Sequence, residues 1–179
     1  MPEFTLYTLD NAPGAAKPLL DNSMAAFNMI PNLHAVMAEA PPLLEAYQQA
    51  HNLFQQTSFN ADELTVVWQT INIEHNCHYC VPAHTGIAHM MNVDAAIIDA
   101  LRNKTPLADS KLEALRNATL ALVRERGLIN EEEVARFFAA GYGKQQLLEI
   151  VLGISQKVMS NYTNHLANTP VDEPFKQFV

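Results

Sequence analysis

Apolar residues recur at three- and four-residue intervals along most of the 179-residue chain, the period of amphipathic helices. PLLDNSMAAFNMI has this spacing and stops at Pro31, and NLHAVMAEA then runs to Pro41 and Pro42. Prolines are tolerated in a first helical turn, where amides lack internal partners, so PPLLEAYQQAHNLFQQ reads as the next helix. NADELTVVWQTINIEHN opens on a cap-like Asn60 with acidic residues after it, and it sets Leu64, Val67, Trp68 and Ile71 on one face. CHYCVPAHTGIAHMMN follows, then VDAAIIDALRN with Asp94 near its start. DSKLEALRNATLALVRERG ends on basic residues before Gly127, and NEEEVARFFAAG repeats the grammar of Asn cap, acidic first turn and closing glycine. The longest candidate is KQQLLEIVLGISQKVMSNYTNHLA. Its first half, with Leu147, Leu148, Ile150, Val151, Leu152 and Ile154, has little polar face, which predicts a helix central to the core or buried between subunits. Met90, Met91, Phe137 and Phe138 read most simply as core. No alternating strand pattern stands out. The chain reads as one all-α domain over residues 1–179, with residues 1–30 as a candidate arm.

Composition narrows what such a domain does. Charged residues are 17% of the chain against about 25% in ordinary globular proteins, which suggests a surface partly covered by partner subunits. A net charge of -8 argues against nucleic acid and anionic membrane as partners, since both select basic patches. No run approaches the roughly 20 apolar residues of a membrane span, and the first residues lack a basic region followed by an apolar one. A cytoplasmic protein is expected.

The only two cysteines lie in EHNCHYCVPAH, residues 74–84. In a reducing compartment such a pair is more often catalytic, redox-sensing or metal-binding than a structural staple. Asn76 is a plausible break between helices. Pro82 then fits only if the next helix starts near Cys77 or His78, which puts both thiols in its first turn, where the helix dipole favours thiolate. At about 100° per residue, Cys77, Cys80 and His84 share one stripe, while His75, His78 and His89 point elsewhere. Glu74 extrapolates to the side of the thiols. These four residues would supply an attacking thiol, a resolving thiol, a proton carrier and a base. The dipole favours Cys77 as attacker, and proximity to His84, one turn away, favours Cys80.

CHYCVPAH is similar to the CxxCxxxH signature of the alkylhydroperoxidase D and carboxymuconolactone decarboxylase family, with likeness through residues 58–105. The end, SNYTNHLANTPVDEPF, resembles the peroxidase-related branch. The resemblance implies an all-helical, multi-helix alkylhydroperoxidase D-like domain that forms trimers or hexamers. It also implies thiol-dependent reduction of hydroperoxides in antioxidant defence, with Cys80 attacking, Cys77 resolving and His84 relaying the proton. The reductant it implies is a dithiol, such as a dihydrolipoyl protein or a thioredoxin-like donor. Known peroxidases of the family carry their glutamate where this chain has Thr65; the peroxidase-related branch carries one at the position of Glu74, and Glu63 is the reserve.

Other readings stay open at this point. Cys77, Cys80 and His84 could bind zinc with Glu74 or His165 as the fourth ligand, in a metal-stabilised or redox-sensing subunit without catalysis. The cysteines could be ordinary buried residues, or the fold could run decarboxylase-like chemistry that does not need them. No cofactor and no metal is expected under the preferred reading.

Overall fold

The computed structural model describes residues 3–179, and all nine helices read from the sequence are present. They are α1 (Lys17–Phe27), α2 (Asn32–Met37), α3 (Pro41–Gln55), α4 (Ala61–Glu74), α5 (Cys80–Met90), α6 (Ala95–Arg102), α7 (Ser110–Arg124), α8 (Glu131–Ala139) and α9 (Lys144–Ala167). A 3-10 helix, Glu173–Phe178, closes the chain, and no strand occurs among the described residues. The caps are those the sequence announces. Asn60 and Glu63 form a reciprocal capping box on α4, Asp94 caps α6, and Asn130 caps α8.

Helix α4 is the axle of the domain. Residues Glu63 to Asn72 are all buried, because α5, α6, α7 and α9 pack around them. The main core joins Phe54, Trp68, Leu115, Phe137 and Ile150, and truncating a fully buried phenylalanine such as Phe54 costs about 3–5 kcal/mol. A second cluster holds the thiols, surrounded by Leu20, Leu33, Met37, Leu44, Tyr47 and Tyr79 from the N-terminal helices and the thiol turn. The N-terminal segment is part of this cluster, since Ala12, Ala16 and Leu20 are buried in it. Where α9 crosses α3 and α4 a glycine is required. A Cβ on Gly153 would lie 2.8 Å from the Phe54 ring and 3.1 Å from Val67.

Two expectations need correction, and the apolar half of α9 keeps only part of its apolar surface inside this chain. Only Ile150 and Gly153 of the apolar half of α9 are buried, whereas Leu148 is 71% exposed and Val151 47%. Met90 and Phe138 are also exposed, while Phe137 is core and Met91 packs against it. A side chain on the outer face of a surface helix stays outside however apolar it is. The helix carrying the thiols begins at Cys80, so Cys77 sits in the turn before it. No helix among the described residues is long and apolar enough to cross a membrane.

Candidate active site

The thiol turn is fixed by its backbone. Asn76 takes the left-handed conformation, with φ of 52°, and ends α4, after which the Cys77 amide bonds back to the Asn72 carbonyl at 3.0 Å. The Cys77 carbonyl already accepts from the Val81 amide at 3.1 Å, and its sulfur accepts from the Cys80 amide at 3.3 Å. Cys77 thus occupies the place of a Ser or Asp cap on the helix that Cys80 opens. Pro82 falls at the third helical residue, where no amide is missed. The turn is pinned from outside by Tyr79, whose hydroxyl donates to Asp172 and accepts from the Leu33 amide at 3.3 Å. His78 bonds to the Thr169 carbonyl at 3.0 Å.

Opposite the thiols lies the second half of α9. Gln156, Lys157, Ser160, Asn161 and Asn164 are polar, and all five are completely buried. Asn164 donates from Nδ2 to Cys80 Sγ at 3.2 Å, and the same group lies 4.0 Å from Cys77 Sγ. Its Oδ1 is buried with no hydrogen-bond partner. Asn161 donates to Asn72 Oδ1 at 3.0 Å, and its own carbonyl faces His75 Nδ1 at 2.8 Å. Asn72 continues to Gln69 at 3.1 Å, and Gln69 to Thr85 at 3.1 Å. This chain of amides ties α4, α5 and α9 together. Lys157 Nζ lies 2.8 Å from His84 Nε2. The His84 ring packs on Trp68, with centroids 4.9 Å apart, and Trp68 donates to Gln156 at 2.8 Å.

This environment separates the two thiols. Burial opposes ionisation of Cys80. The hydrogen bond from Cys77, the Lys157 charge, and Ser160 and Asn161 overcome it, so its pKa is lowered. Cys77 is pushed the other way by its hydrogen bond to Cys80, by burial and by the charge on Cys80. Both shifts favour ionisation at Cys80 over Cys77. His84 is held well below its ordinary value by burial, then by Lys157 and His51, so it is a neutral ring whose Nε2 accepts from Lys157.

No protein family and no curated protein matches the sequence. Solved structures do match. An uncharacterized peroxidase-related protein from Ralstonia eutropha JMP134, described as an alkylhydroperoxidase AhpD core, superposes with a TM-score of 0.82 at 15% identity, over 98% of this chain and 96% of its own. The fold is that of the alkylhydroperoxidase core. An uncharacterized peroxidase-related protein from Silicibacter sp. TM1040 gives a TM-score of 0.79 at 16% identity, over 97% and 95% of the two chains. A cysteine-to-alanine variant of the debrominase Bmp8, in complex with 2,3,4-tribromopyrrole, gives 0.80 at 14% identity, over 99% and 95%.

Within this alkylhydroperoxidase-core fold the acids and remaining histidines fall as follows. Both Glu74 oxygens are held by Arg124 of α7, at 2.7 and 2.8 Å, a pairing that lowers its pKa. Glu74 makes no hydrogen bond to Cys77, Cys80 or His84. Glu63 is buried at the start of α4, where it caps Asn60, accepts from Tyr142 at 2.9 Å and pairs with Lys111 at 3.0 Å. His165 is exposed, and His89 stacks on Phe178. No three His, Cys, Asp or Glu side chains converge as metal ligands among the described residues, so Cys77, Cys80 and His84 do not form a zinc set. Lys157 and Asn164 were not singled out from the sequence. Their signal is a polar stripe, QKxxSNxxN, on a helix otherwise read as core.

Proposed function

We propose that the protein is a dithiol oxidoreductase that reduces hydroperoxides, with Cys80 attacking and Cys77 resolving. The Cys80 thiolate takes the terminal peroxide oxygen. An S–O bond forms, the O–O bond breaks, and the alkoxide leaves with a proton as alcohol. The Cys77 sulfur then attacks the Cys80 sulfenic acid, and hydroxide departs with the Cys77 proton as water. A dithiol, from a dihydrolipoyl protein or a thioredoxin-like donor, restores both thiols by exchange. That cycle belongs to a reducing compartment such as the cytoplasm.

The observation that carries the reading is the pair of free, buried thiols, with the Asn164 amide donating to Cys80 Sγ at 3.2 Å. The unpartnered Asn164 Oδ1 beside them is an acceptor suited to the O–H of a hydroperoxide. The Glu74 carboxylate, engaged by Arg124, has no part in this cycle, and neither does Glu63. A second reading keeps the thiols and changes the atom attacked. The likeness to a debrominase supports thiolate attack on an aryl halogen, again resolved by Cys77. We also place the working protein in a homo-oligomer, a trimer or hexamer, built on the exposed apolar side of α9.

The test is steady-state consumption of cumene hydroperoxide, hydrogen peroxide and tribromopyrrole with dihydrolipoamide. Wild-type protein is expected to turn over a hydroperoxide, and Cys80→Ser and Cys77→Ser to lose turnover. Turnover of the bromopyrrole alone selects the second reading. Undiminished turnover in Cys80→Ser overturns both.

A further inference from the structure

Lys157 is completely buried, and it forms no ion pair with any carboxylate among the described residues. Its hydrogen-bond partner is the neutral His84 ring, at 2.8 Å. Burying an ammonium ion without a counter-charge costs several kcal/mol even after relaxation, so an anion must stand near it or the lysine must lose its proton. The titratable groups facing it and the thiols are Cys77 and Tyr79 on the thiol turn, His84 on α5, and Tyr47 and His51 on α3. Asp172 lies behind Tyr79, held by the Tyr79 hydroxyl and by the Asn32 amide at 2.9 Å. Cys80 opens the helix on which His84, the partner of Lys157, lies one turn further on, and it takes the Asn164 amide of the same buried face of α9 at 3.2 Å, so its thiolate is the anion placed to balance Lys157.

That anion exists only in the reduced protein. We propose that the proton on Lys157 is tied to the redox state of the thiols: Lys157 is an ammonium ion while Cys80 is a thiolate, and it gives the proton up when the Cys77–Cys80 disulfide forms. Oxidation then forms one S–S bond, removes two electrons and releases two protons, one from the Cys77 thiol and one from Lys157. A hydroperoxide cleaved to alcohol and water consumes two electrons and two protons, so the pair of thiols and the lysine together supply what the reaction needs. Burial lowers the Lys157 pKa while negative charge on the thiol pair, chiefly at Cys80, raises it, the opposition that such coupling requires. His84 is the positioning group, because its unprotonated Nε2 accepts the Lys157 N–H in either state. The inference rests on the functional reading only for the identity of the oxidant.

The test reads charge and needs no peroxide turnover. In Cys77→Ser, the ultraviolet absorbance of the Cys80 thiolate is titrated with Lys157 intact and with Lys157→Met. Loss of the lysine is expected to move the midpoint up by at least about two pH units, a hundredfold change in the ionisation constant, and Lys157→Arg to restore most of it. In wild-type protein labelled with carbon-13 lysine, the Lys157 signal, assigned by its absence in Lys157→Met, is followed against pH before and after disulfide formation by diamide. It is expected to be an ammonium ion at neutral pH in the reduced form and a neutral amine in the oxidised form. Identical Lys157 titration in the two redox states overturns the proposal; where Lys157→Met does not fold, absence of the signal in Lys157→Arg supplies the assignment. Coupling seen in a protein that reduces no hydroperoxide sinks the functional reading and leaves the coupling established.

Discussion

The two halves of α9 exchange the roles that their composition suggests. The first half is apolar, yet Leu148 and Val151 face outward. The second half is polar, yet Gln156, Lys157, Ser160, Asn161 and Asn164 are sealed inside. An exposed leucine needs little explanation, since much of any protein surface is apolar. Five buried polar side chains in a row of turns do need one, because each must be matched or its burial is a net loss. Four of them hydrogen-bond to groups on α4, α5 or the thiol turn, which is how the fold builds a charged site inside an apolar cluster.

After the thiols and Lys157, the largest effect is expected at Asn164, which donates to Cys80. A hydrogen bond to a charged group is worth about 1.5–3 kcal/mol, so Asn164→Leu should slow alkylation of Cys80 by iodoacetamide at neutral pH by roughly tenfold or more. An unchanged rate would mean that the buried half of α9 is only structural. Next in size is acid sensitivity. Burial holds His34 and His51 down to about 4 and His84 well below its usual value, whereas unfolded histidine titrates near ~6.5. Between those values the unfolded chain binds protons that the native protein refuses, so stability falls as pH drops through this window, by about 1.4 kcal/mol per pH unit for each such histidine. Urea midpoints from pH 7 to 4 check this, and His34→Phe should flatten the slope.

The exposed half gives a prediction of the opposite kind. Leu148→Ser with Val151→Ser should lower the mass seen by light scattering from an oligomer to a monomer, with Cys80 alkylation unchanged. A wild-type monomer at micromolar concentration would remove the assembly role. The smallest effect is expected at Glu74. Its ion pair with Arg124 is partly exposed and worth no more than about 1 kcal/mol, so Glu74→Gln should leave alkylation within about twofold of wild type. A large drop would return the carboxylate to the relay.

Much of this was legible in the chain. The helices were, because caps such as Asn60 and Asn130 and stops such as Gly127 are local signals, and the short spacing of Cys77, Cys80 and His84 marked the segment on which the proposed site is built. Cys77 escaped the helix because its sulfur serves as the cap, a role that sequence seldom assigns to cysteine. Glu74 looked like a neighbour of the thiols, but the left-handed turn at Asn76 breaks the helix between them and Arg124, 50 residues along the chain, claims its carboxylate. Lys157 lies 73 residues along the chain from His84 and Asn164 lies 84 from Cys80, the groups they hydrogen-bond. Only tertiary packing selects them, although the polar stripe on a core helix marked where to look.

The packing around the thiols predicts that Cys80, rather than Cys77, is the reacting thiol. The most direct measurement treats Cys77→Ser and Cys80→Ser with one equivalent of hydroperoxide in the presence of dimedone, then locates the adduct by peptide mass spectrometry. The account expects a sulfenic acid adduct on Cys80 in Cys77→Ser and none in Cys80→Ser. An adduct on Cys77 in Cys80→Ser, with none in Cys77→Ser, contradicts it.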